Sequence, residues 1–260
     1  MSKAPLSTKR LAQKIIIAFL CTFLAFSTAA CGRSQDGYKS SMSDPIEPFN
    51  RGVFAVNNVL DIYLIEPVAK MYNAIFPDFV RTSVQSFMRN LKSPLIVANS
   101  LLQGDIGNAG TATARFIINT TAGIGGLVDV ASTQGFEYRP EDFGQTLAVW
   151  GFGDGFYIVL PVLGPSSLRD TGGLVGDSIA DPVRIYAHND DKMWIYYTRG
   201  AVEGLDTRAR LVKSVADLRR NSLDYYAAVR SAYTQKRQSM IRNENTDNVS
   251  NSVPAYDEQN

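Results

Sequence analysis

Residues 53–65 read Val-Phe-Ala-Val-Asn-Asn-Val-Leu-Asp-Ile-Tyr-Leu-Ile, and this pattern decides the fold class. Asn57 and Asp61 are four residues apart and share one face of a helix, with Asn58 beside them. Every other position in the stretch is apolar. A helix on the surface of a soluble protein carries an apolar stripe opposite a broad polar side. This stretch therefore predicts a helix with the opposite proportions, in which the polar side is the narrow one.

Residues 106–121 repeat this inverted pattern. Asn108, Thr111, Arg115 and Asn119 form one stripe, and the positions beside it are mostly apolar. Two environments account for such a helix. Either it is buried with its stripe satisfied inside the protein, or it faces hydrocarbon on one side and a narrow wet passage on the other. The residues alone leave both alternatives open.

The remaining sequence predicts an all-α fold with little or no β-structure, because helical spacing is frequent and two-residue alternation is rare. Proline residues near first turns mark several of the helix starts, and a break is expected near Asn221-Ser222. Helices are predicted at 47–64, 66–76, 78–91, 94–103, 106–122, 141–150, 166–180, 190–203 and 205–240.

An apolar run at 156–163, Phe-Tyr-Ile-Val-Leu-Pro-Val-Leu, lies between two glycines. It is interpreted either as a buried extended segment or as a loop dipped into a membrane interface. Aromatic residues nearby and further along the chain suit a belt at such an interface, although aromatic side chains fill protein cores equally often. The candidates for this belt are Trp150, Trp194, Tyr196 and Tyr197.

The first 30 residues have the order of a secretory signal peptide. The run 15–26 is apolar apart from Thr22 and follows four basic residues, Lys3, Lys9, Arg10 and Lys14. This run is shorter than the about 20 apolar residues that span a bilayer. Small residues lead up to Cys31, which predicts cleavage before this cysteine. The alternatives are a bacterial lipoprotein with N-acyl and S-diacylglycerol groups on Cys31, or ordinary secretion with cleavage at the same place.

Two residues near Cys31 bear on whether it is lipidated and on which membrane the lipoprotein reaches. Thr28 stands where a lipobox usually has Leu, which departs from the lipoprotein pattern. Gly32 occupies the position where an Asp tends to hold lipoproteins at the inner membrane of Gram-negative cells. The absence of that Asp allows the outer membrane as the destination.

The mature chain, from Cys31 to Asn260, carries 22 basic and 25 acidic residues, a net charge of −3. This balance gives no basic face for nucleic acid. The chain has only two cysteines, and the leader removes one of them, so no disulfide is expected. We predict a lipidated tether at 31–43, one domain at 44–240 and a disordered polar tail at 241–260.

No catalytic or metal site can be assembled from the sequence, which predicts a protein that is not an enzyme. His188 is the only histidine and follows no nucleophile motif such as Gly-x-Ser-x-Gly. Asp190-Asp191 has no histidine partners for a metal. Gly123-Ile124-Gly125-Gly126 lacks the Lys-Ser or Lys-Thr of a phosphate loop, so its glycines are expected to permit a tight turn or a close backbone approach.

Several motifs in order resemble those of the VacJ/MlaA lipoproteins, over about residues 44–235. The first is Asp44–Arg51, Asp-Pro-Ile-Glu-Pro-Phe-Asn-Arg. The others are Arg115–Thr120, Gly123–Ala131, Glu141–Leu147, Trp150-Gly151, Gly155–Pro161, Gly164–Asp170 and Asp181-Pro182. The departures are Thr28 and the polar tail after residue 242.

The resemblance implies a single helical domain that forms a ring around a central amphipathic channel, on the periplasmic side of the Gram-negative outer membrane. Family members act in retrograde phospholipid transport and keep outer-membrane lipid asymmetry. The implied partners are phospholipid, a trimeric porin and a soluble periplasmic lipid carrier. Two alternatives remain, an outer-membrane phospholipase and a structural lipoprotein that braces porins. No cofactor other than the lipid groups on Cys31 is expected.

The polar stripes and the apolar run supply the candidate lipid contacts of such a channel. The candidates on the stripes are Asn57, Asn58, Asp61, Thr111, Arg115 and Asn119. By placement in the resemblance, the segment 152–163 gates or lines the passage, and Phe156, Tyr157 and Leu160 are its candidate contacts. An arginine inside a helix is also commonly a structural ion pair, so Arg115 has both interpretations.

Overall fold

The computed structural model describes residues 42–244, in which helices dominate and one two-stranded sheet is present. The all-α prediction with little β-structure is confirmed. The predicted leader at 1–30, Cys31, most of the tether and the tail from residue 245 lie outside the described residues. Met42 and Ser43, which the sequence assigned to the tether, contact the domain: Met42 is buried, and the Ser43 carbonyl accepts a hydrogen bond from the Tyr157 amide.

The described chain begins with a long helix in three parts. Helix α1 spans Glu47–Leu60, a π-helical turn follows at Asp61–Ile65, and helix α2 spans Glu66–Ile75. The three parts are continuous, because the residues at both junctions keep helical backbone angles. In the described residues this is the one helix long and apolar enough to cross a membrane, and very little of it is buried in the protein.

Helix α3 spans Asp78–Leu102 and contains Pro94 in its interior. The predicted division into helices 78–91 and 94–103 is therefore wrong. An interior proline removes one backbone hydrogen bond and costs about 3 kcal/mol, which sequence reasoning treats as a helix end. Here one face of the helix is buried from Ser86 to Ser100, on both sides of Pro94, and α3 packs along helix α4 at Ile106–Thr121. This packing holds α3 together across the proline.

A glycine-rich turn joins α4 to the short helix α5 at Val130–Thr133. A Cβ atom on Gly123 would lie 2.2 Å from the Val128 carbonyl oxygen, and one on Gly126 would lie 2.6 Å from the Asn90 side chain. Gly126 also has a φ of +95°. The prediction that these glycines permit a tight turn and a close approach is confirmed.

The apolar run forms a β-hairpin after helix α6 at Phe143–Val149. Strand β1 spans Tyr157–Leu160 and pairs antiparallel with β2 at Gly164–Ser167, with Tyr157 opposite Ser167 and Leu160 opposite Gly164. The predicted helix start at 166 is wrong, because the helix that follows begins at Leu168, with Ser167 as its N-cap.

Five helices complete the domain: α7 at Leu168–Ala180, α8 at Pro182–Asn189, α9 at Met193–Arg210, α10 at Val212–Asn221 and α11 at Tyr225–Ile241. The predicted break near Asn221-Ser222 is confirmed. Helix α8 and the break at Leu211 were not predicted, and the sequence placed a helix end at 203 that the structure does not have.

The interior of the described residues is mostly polar. Among them, 21 polar or charged residues are buried against 11 apolar ones. The cluster of buried hydrophobic residues found within 42–244 is small and contains Met42, Tyr157, Val159 and Tyr226. A soluble domain places its large apolar residues inside, so the distribution of polarity in this domain is inverted.

Candidate lipid-contacting site

Large apolar side chains project from the long helix without cover from the rest of the domain. Tyr63 is 79% exposed, Val56 68% and Leu64 56%. The exposed apolar residues of this helix are Phe49, Val56, Val59, Ile62, Tyr63, Leu64, Met71 and Ile75. Contiguous apolar surface on this scale marks a site that contacts a membrane or another protein.

Exposed apolar residues are also found on the other described helices and on the hairpin tip. They include Ile106, Phe116 and Ile117 on α4, Val162 and Leu163 on the hairpin, Leu174, Val175 and Ile179 on α7, and Trp194 and Tyr197 on α9. Trp150, Trp194 and Tyr197 of the predicted aromatic belt are thus exposed, and Tyr196 is half-buried. Trp150 donates its indole N–H to the Leu102 carbonyl, and Tyr196 contacts the Ser178 hydroxyl.

Two asparagines of α1 hold the hairpin against this helix. The Asn50 amide donates to the Tyr157 carbonyl at 2.9 Å and accepts from the Val159 amide at 2.9 Å. Asn57 binds the hairpin in the same way three residues further along its backbone. It donates to the Leu160 carbonyl at 2.9 Å and accepts from the Val162 amide at 2.8 Å. Of these two, sequence reasoning selected only Asn57.

Asn58 and Asp61 have different surroundings on the same helix. The Asn58 side-chain oxygen is buried and has no hydrogen-bond partner in the described residues. Asp61 lies in the π-helical turn and accepts hydrogen bonds from Arg208 at 2.6 and 2.8 Å and from Arg219 at 2.9 Å. Glu66 binds both arginines as well. Two acids and two arginines therefore neutralise one another where the long helix meets α9 and α10.

The polar stripe on α4 forms hydrogen bonds with the segment that follows the glycine-rich turn. Buried Arg115 donates to the Asp129 carboxylate at 2.7 Å, and Asn119 donates to the same carboxylate at 3.0 Å and accepts from the Ala131 amide. Thr111 lies on this stripe and is half-buried. Arg115 therefore forms the structural ion pair that was one of its two interpretations. Contact of Thr111, Arg115 and Asn119 with lipid stays a prediction.

The hairpin candidates divide between the core and the surface. Tyr157 has no exposed surface and lies in the hydrophobic cluster beside Tyr226 and Tyr233. Phe156 and Leu160 are half-buried. Only these two of the three predicted hairpin residues therefore offer side-chain surface to a lipid.

A cavity of about 290 Å³ opens near the base of the hairpin. Its lining residues are Ala148, Gly151, Phe152, Asp154, Arg169, Gln238, Ile241 and Arg242. Arg169 is buried in its wall and pairs with Asp154 at 2.6 Å. Pockets for drug-sized ligands hold about 300–1,000 Å³, so this cavity suits a small polar group rather than two acyl chains.

A buried ion cluster ties the last helix to α6 and α7. Arg237 donates to Asp142 at 2.6 and 2.7 Å and to Asp170 at 2.9 Å, and Tyr233 donates to the other oxygen of Asp170. Gly144 makes room for the guanidinium, since a Cβ there would lie 2.4 Å from it. From the sequence, Asp142 was expected only at the start of a helix, and it does cap that helix. The ion cluster was not predicted, because Arg237 is 95 residues from Asp142 and 67 residues from Asp170 and such distances leave no local pattern.

The two acids of this cluster carry a testable pH dependence. Burial raises the pKa of Asp142 and of Asp170, but Arg237 lowers both, together with Tyr233 and Arg169 at Asp170, and the two pKa values lie below their usual range. A carboxyl with a depressed folded-state pKa contributes stability that is present above its unfolded pKa of about 4 and lost as the pH falls through the folded value.

Asp170→Asn is expected to lower the free energy of unfolding by about 1.5–3 kcal/mol at pH 7, the range for hydrogen bonds to charged groups. The difference from the wild type should stay constant between pH 7 and 5 and shrink below about pH 4. Denaturant unfolding in detergent across this range measures both curves. A difference that stayed unchanged down to pH 2.5 would contradict this assignment of charge to Asp170.

The residues considered for catalysis are not assembled into a site. His188 is exposed at the end of α8, beside exposed Asp190 and Asp191. In the described part of the chain, no group of three or more His, Cys, Asp or Glu side chains is placed to hold a metal ion.

The sequence of this chain is similar to those of known proteins. The family model for the MlaA lipoprotein matches residues 42–240. The chain is 36% identical over 225 residues to the intermembrane phospholipid transport system lipoprotein MlaA of Escherichia coli K12, covering 84% of each chain. It is 38% identical over 212 residues to an uncharacterised protein of Rickettsia prowazekii, covering 81% of this chain and 82% of the relative.

A solved structure, described as the structural basis for maintenance of bacterial outer membrane lipid asymmetry, is similar in fold. The two superpose with a TM-score of 0.68 at 37% sequence identity, covering 76% of this chain and 99% of the other. The residues matched by the family model include Asn50, Asn57 and the ion cluster around Arg237. They also include the sequence motifs that resemble this family. The chain belongs to the MlaA lipoprotein family.

Proposed function

We propose that this protein is a non-enzymatic outer-membrane lipoprotein that takes phospholipids from the outer leaflet and passes them to a periplasmic carrier. The transfer is retrograde and maintains outer-membrane lipid asymmetry. The single observation that carries the proposal is the inverted distribution of polarity, with apolar faces outside and polar contacts inside. The names of the E. coli relative and of the similar structure support the same process.

The energetics of a phospholipid explain why such a surface is needed. Two tails of about 14 methylenes each would cost on the order of 20 kcal/mol to expose to water, at roughly 0.8 kcal/mol per methylene. A protein that moves lipids must keep the tails out of water while the charged headgroup passes. Helices that are apolar on most sides and polar along a narrow stripe meet both demands.

The proposed arrangement is a ring of amphipathic helices in the inner leaflet, anchored by acyl groups on Cys31, with a narrow passage at its centre. Asn58 and Thr111 supply polar surface to this passage, because neither side chain is committed to an ion pair, and Phe156 and Leu160 supply apolar surface. A trimeric porin and a soluble periplasmic lipid carrier are the proposed partners.

Leu160→Asp in a strain whose own copy is deleted tests the proposal. The charge is expected to block passage of the tails, so outer-leaflet phospholipid and detergent sensitivity should rise toward the levels of the deletion strain. Leu223→Asp is the matched control, because Leu223 is fully exposed in the loop before α11. Wild-type lipid asymmetry with a normally accumulated Leu160→Asp protein would contradict the role of this segment.

Purified protein incubated with phospholipid vesicles separates transport from hydrolysis. A conduit produces no lysophospholipid, and mass spectrometry detects this product directly. Release of lysophospholipid that scales with protein concentration would overturn the proposal in favour of a phospholipase. Photoactivated tails that crosslink to residues of the domain support transport against a purely bracing role.

A further inference from the structure

The distance between Asn50 and Asn57 along α1 matches the distance between the backbone groups that they bind on the hairpin. This match has a geometric cause. Asn50 and Asn57 are seven residues apart, about two helical turns, so both side chains face the hairpin. Seven residues of helix rise about 10.5 Å. The backbone groups that they bind are three residues apart, and three residues of extended chain span about 10 Å. The helix and the strand therefore coincide at both contacts.

Each asparagine replaces a neighbouring strand. Its amide nitrogen donates to one carbonyl, and its oxygen accepts from the amide two residues later. We call the Asn50 contact the inner rung and the Asn57 contact the outer rung. Sliding the hairpin by one residue along α1 would exchange the faces of β1 and move its buried side chains outward. The pair therefore permits one register of the hairpin on the long helix.

The inner rung is built into the core. Asn50 is fully buried, also donates to Asp44 at 2.8 Å, and lies between the buried residues Tyr157 and Val159. Breaking this rung would leave the Tyr157 carbonyl and the Val159 amide buried without these partners, which is costly in a core.

The outer rung holds a strained turn at the surface. Val162 has a φ of +66°, a conformation that β-branched residues rarely adopt, and it is 66% exposed. The Leu163 amide donates to the Pro161 carbonyl at 2.7 Å, so Val162 is the centre of a three-residue γ-turn. The Val162 amide donates to the Asn57 side-chain oxygen at 2.8 Å. Release of this rung exposes the freed groups to water and lets the backbone of Val162 relax.

We propose that Asn50 and Asn57 are positioning residues that set the place of the hairpin on the long helix, with a permanent inner rung and a releasable outer rung. The hairpin tip then leaves α1 as a unit when the outer rung opens, and the base stays in the core. The consequence for transport rests on the proposed function, in which this segment borders the passage. The two-rung arrangement itself does not depend on that function.

Hydrogen exchange on the full-length lipoprotein in nanodiscs tests the two rungs. Asn57→Leu removes both outer hydrogen bonds, and exchange over residues 160–163 should rise about tenfold while exchange at Val159 stays at the wild-type rate. Val162→Gly removes the strain of the positive φ and should slow exchange over 160–163 several-fold. Asn57→Asp keeps an acceptor but loses the donor, and should act in the direction of Asn57→Leu if the leucine variant does not fold.

Equal exchange in Asn57→Leu, Asn57→Asp and the wild type would overturn the proposal. So would faster exchange in Val162→Gly, or exchange at Val159 that rises together with the tip. Outer-leaflet phospholipid is measured in the same variants. Altered exchange with unaltered lipid asymmetry would confirm the rungs and refute the transport role of the hairpin.

Discussion

Arg237→Met is expected to lower the free energy of unfolding by about 3–5 kcal/mol, the cost of removing one partner from a buried ion cluster. Arg237 is the cation shared by Asp142 and Asp170, and all three side chains are at least two-thirds buried. Without it, Asp142 has lost its arginine, and Asp170 keeps only Arg169, which it shares with Asp154. Urea unfolding in detergent, followed by circular dichroism, measures the loss.

Two further variants check the cause of this loss. Lys192→Met breaks an exposed pair with Asp190 at 3.1 Å and should change stability by less than about 1 kcal/mol. Asp142→Asn added to Arg237→Met should recover part of the loss, because it removes the carboxylate that Arg237 paired and an asparagine still caps the helix. A double variant less stable than Arg237→Met alone would show that the cluster acts through packing rather than charge.

The second large effect is expected on the exposed apolar side of the long helix. Val59→Asp places a carboxylate on a side chain that is 55% exposed among other apolar residues. A charge at hydrocarbon depth costs about 2.5–3.5 kcal/mol on insertion scales. In a Cys31→Ser background, which removes the proposed lipid anchor, binding to phospholipid vesicles should therefore weaken by about 60- to 300-fold, as measured by flotation.

Ser214→Asp is the matched control, because Ser214 is exposed on the polar helix α10. It adds the same charge and should leave vesicle binding within about twofold, since a solvated carboxylate loses no hydration there. Equal weakening by both variants would mean that the added charge acts through repulsion from the vesicle and not through loss of an apolar contact at Val59.

The sequence predicted the helical class and the inverted polarity because both leave local patterns. Segments such as 53–65 and 106–121 carry their polar residues on one stripe, and the structure contains a helix at each. Pro94 misled the prediction because the packing of a whole buried face outweighs the cost of one proline. The hairpin strands of four residues each are too short to show an alternating pattern.

The roles of individual stripe residues were less predictable. Local spacing showed that Asn57, Arg115 and Asn119 lie on polar faces, but not what they contact. Their partners are 10 to 105 residues away, and four of those partners are backbone groups that any sequence would provide. Asn50 was missed for the same reason, since an asparagine that binds the edge of a strand looks like any other helix residue.

The π-helical turn at Asp61–Ile65 makes this part of the long helix tolerant of a change in length. Such a turn takes about one residue more than a regular helix to complete nearly the same rotation. Deleting Tyr63 would therefore restore the ordinary winding and leave Glu66 facing Arg208 and Arg219. A deletion within α1 would instead rotate Glu66 away from both arginines by about 100°. Evolution is thus expected to accept the loss of a residue in this turn more readily than in the regular helix before it.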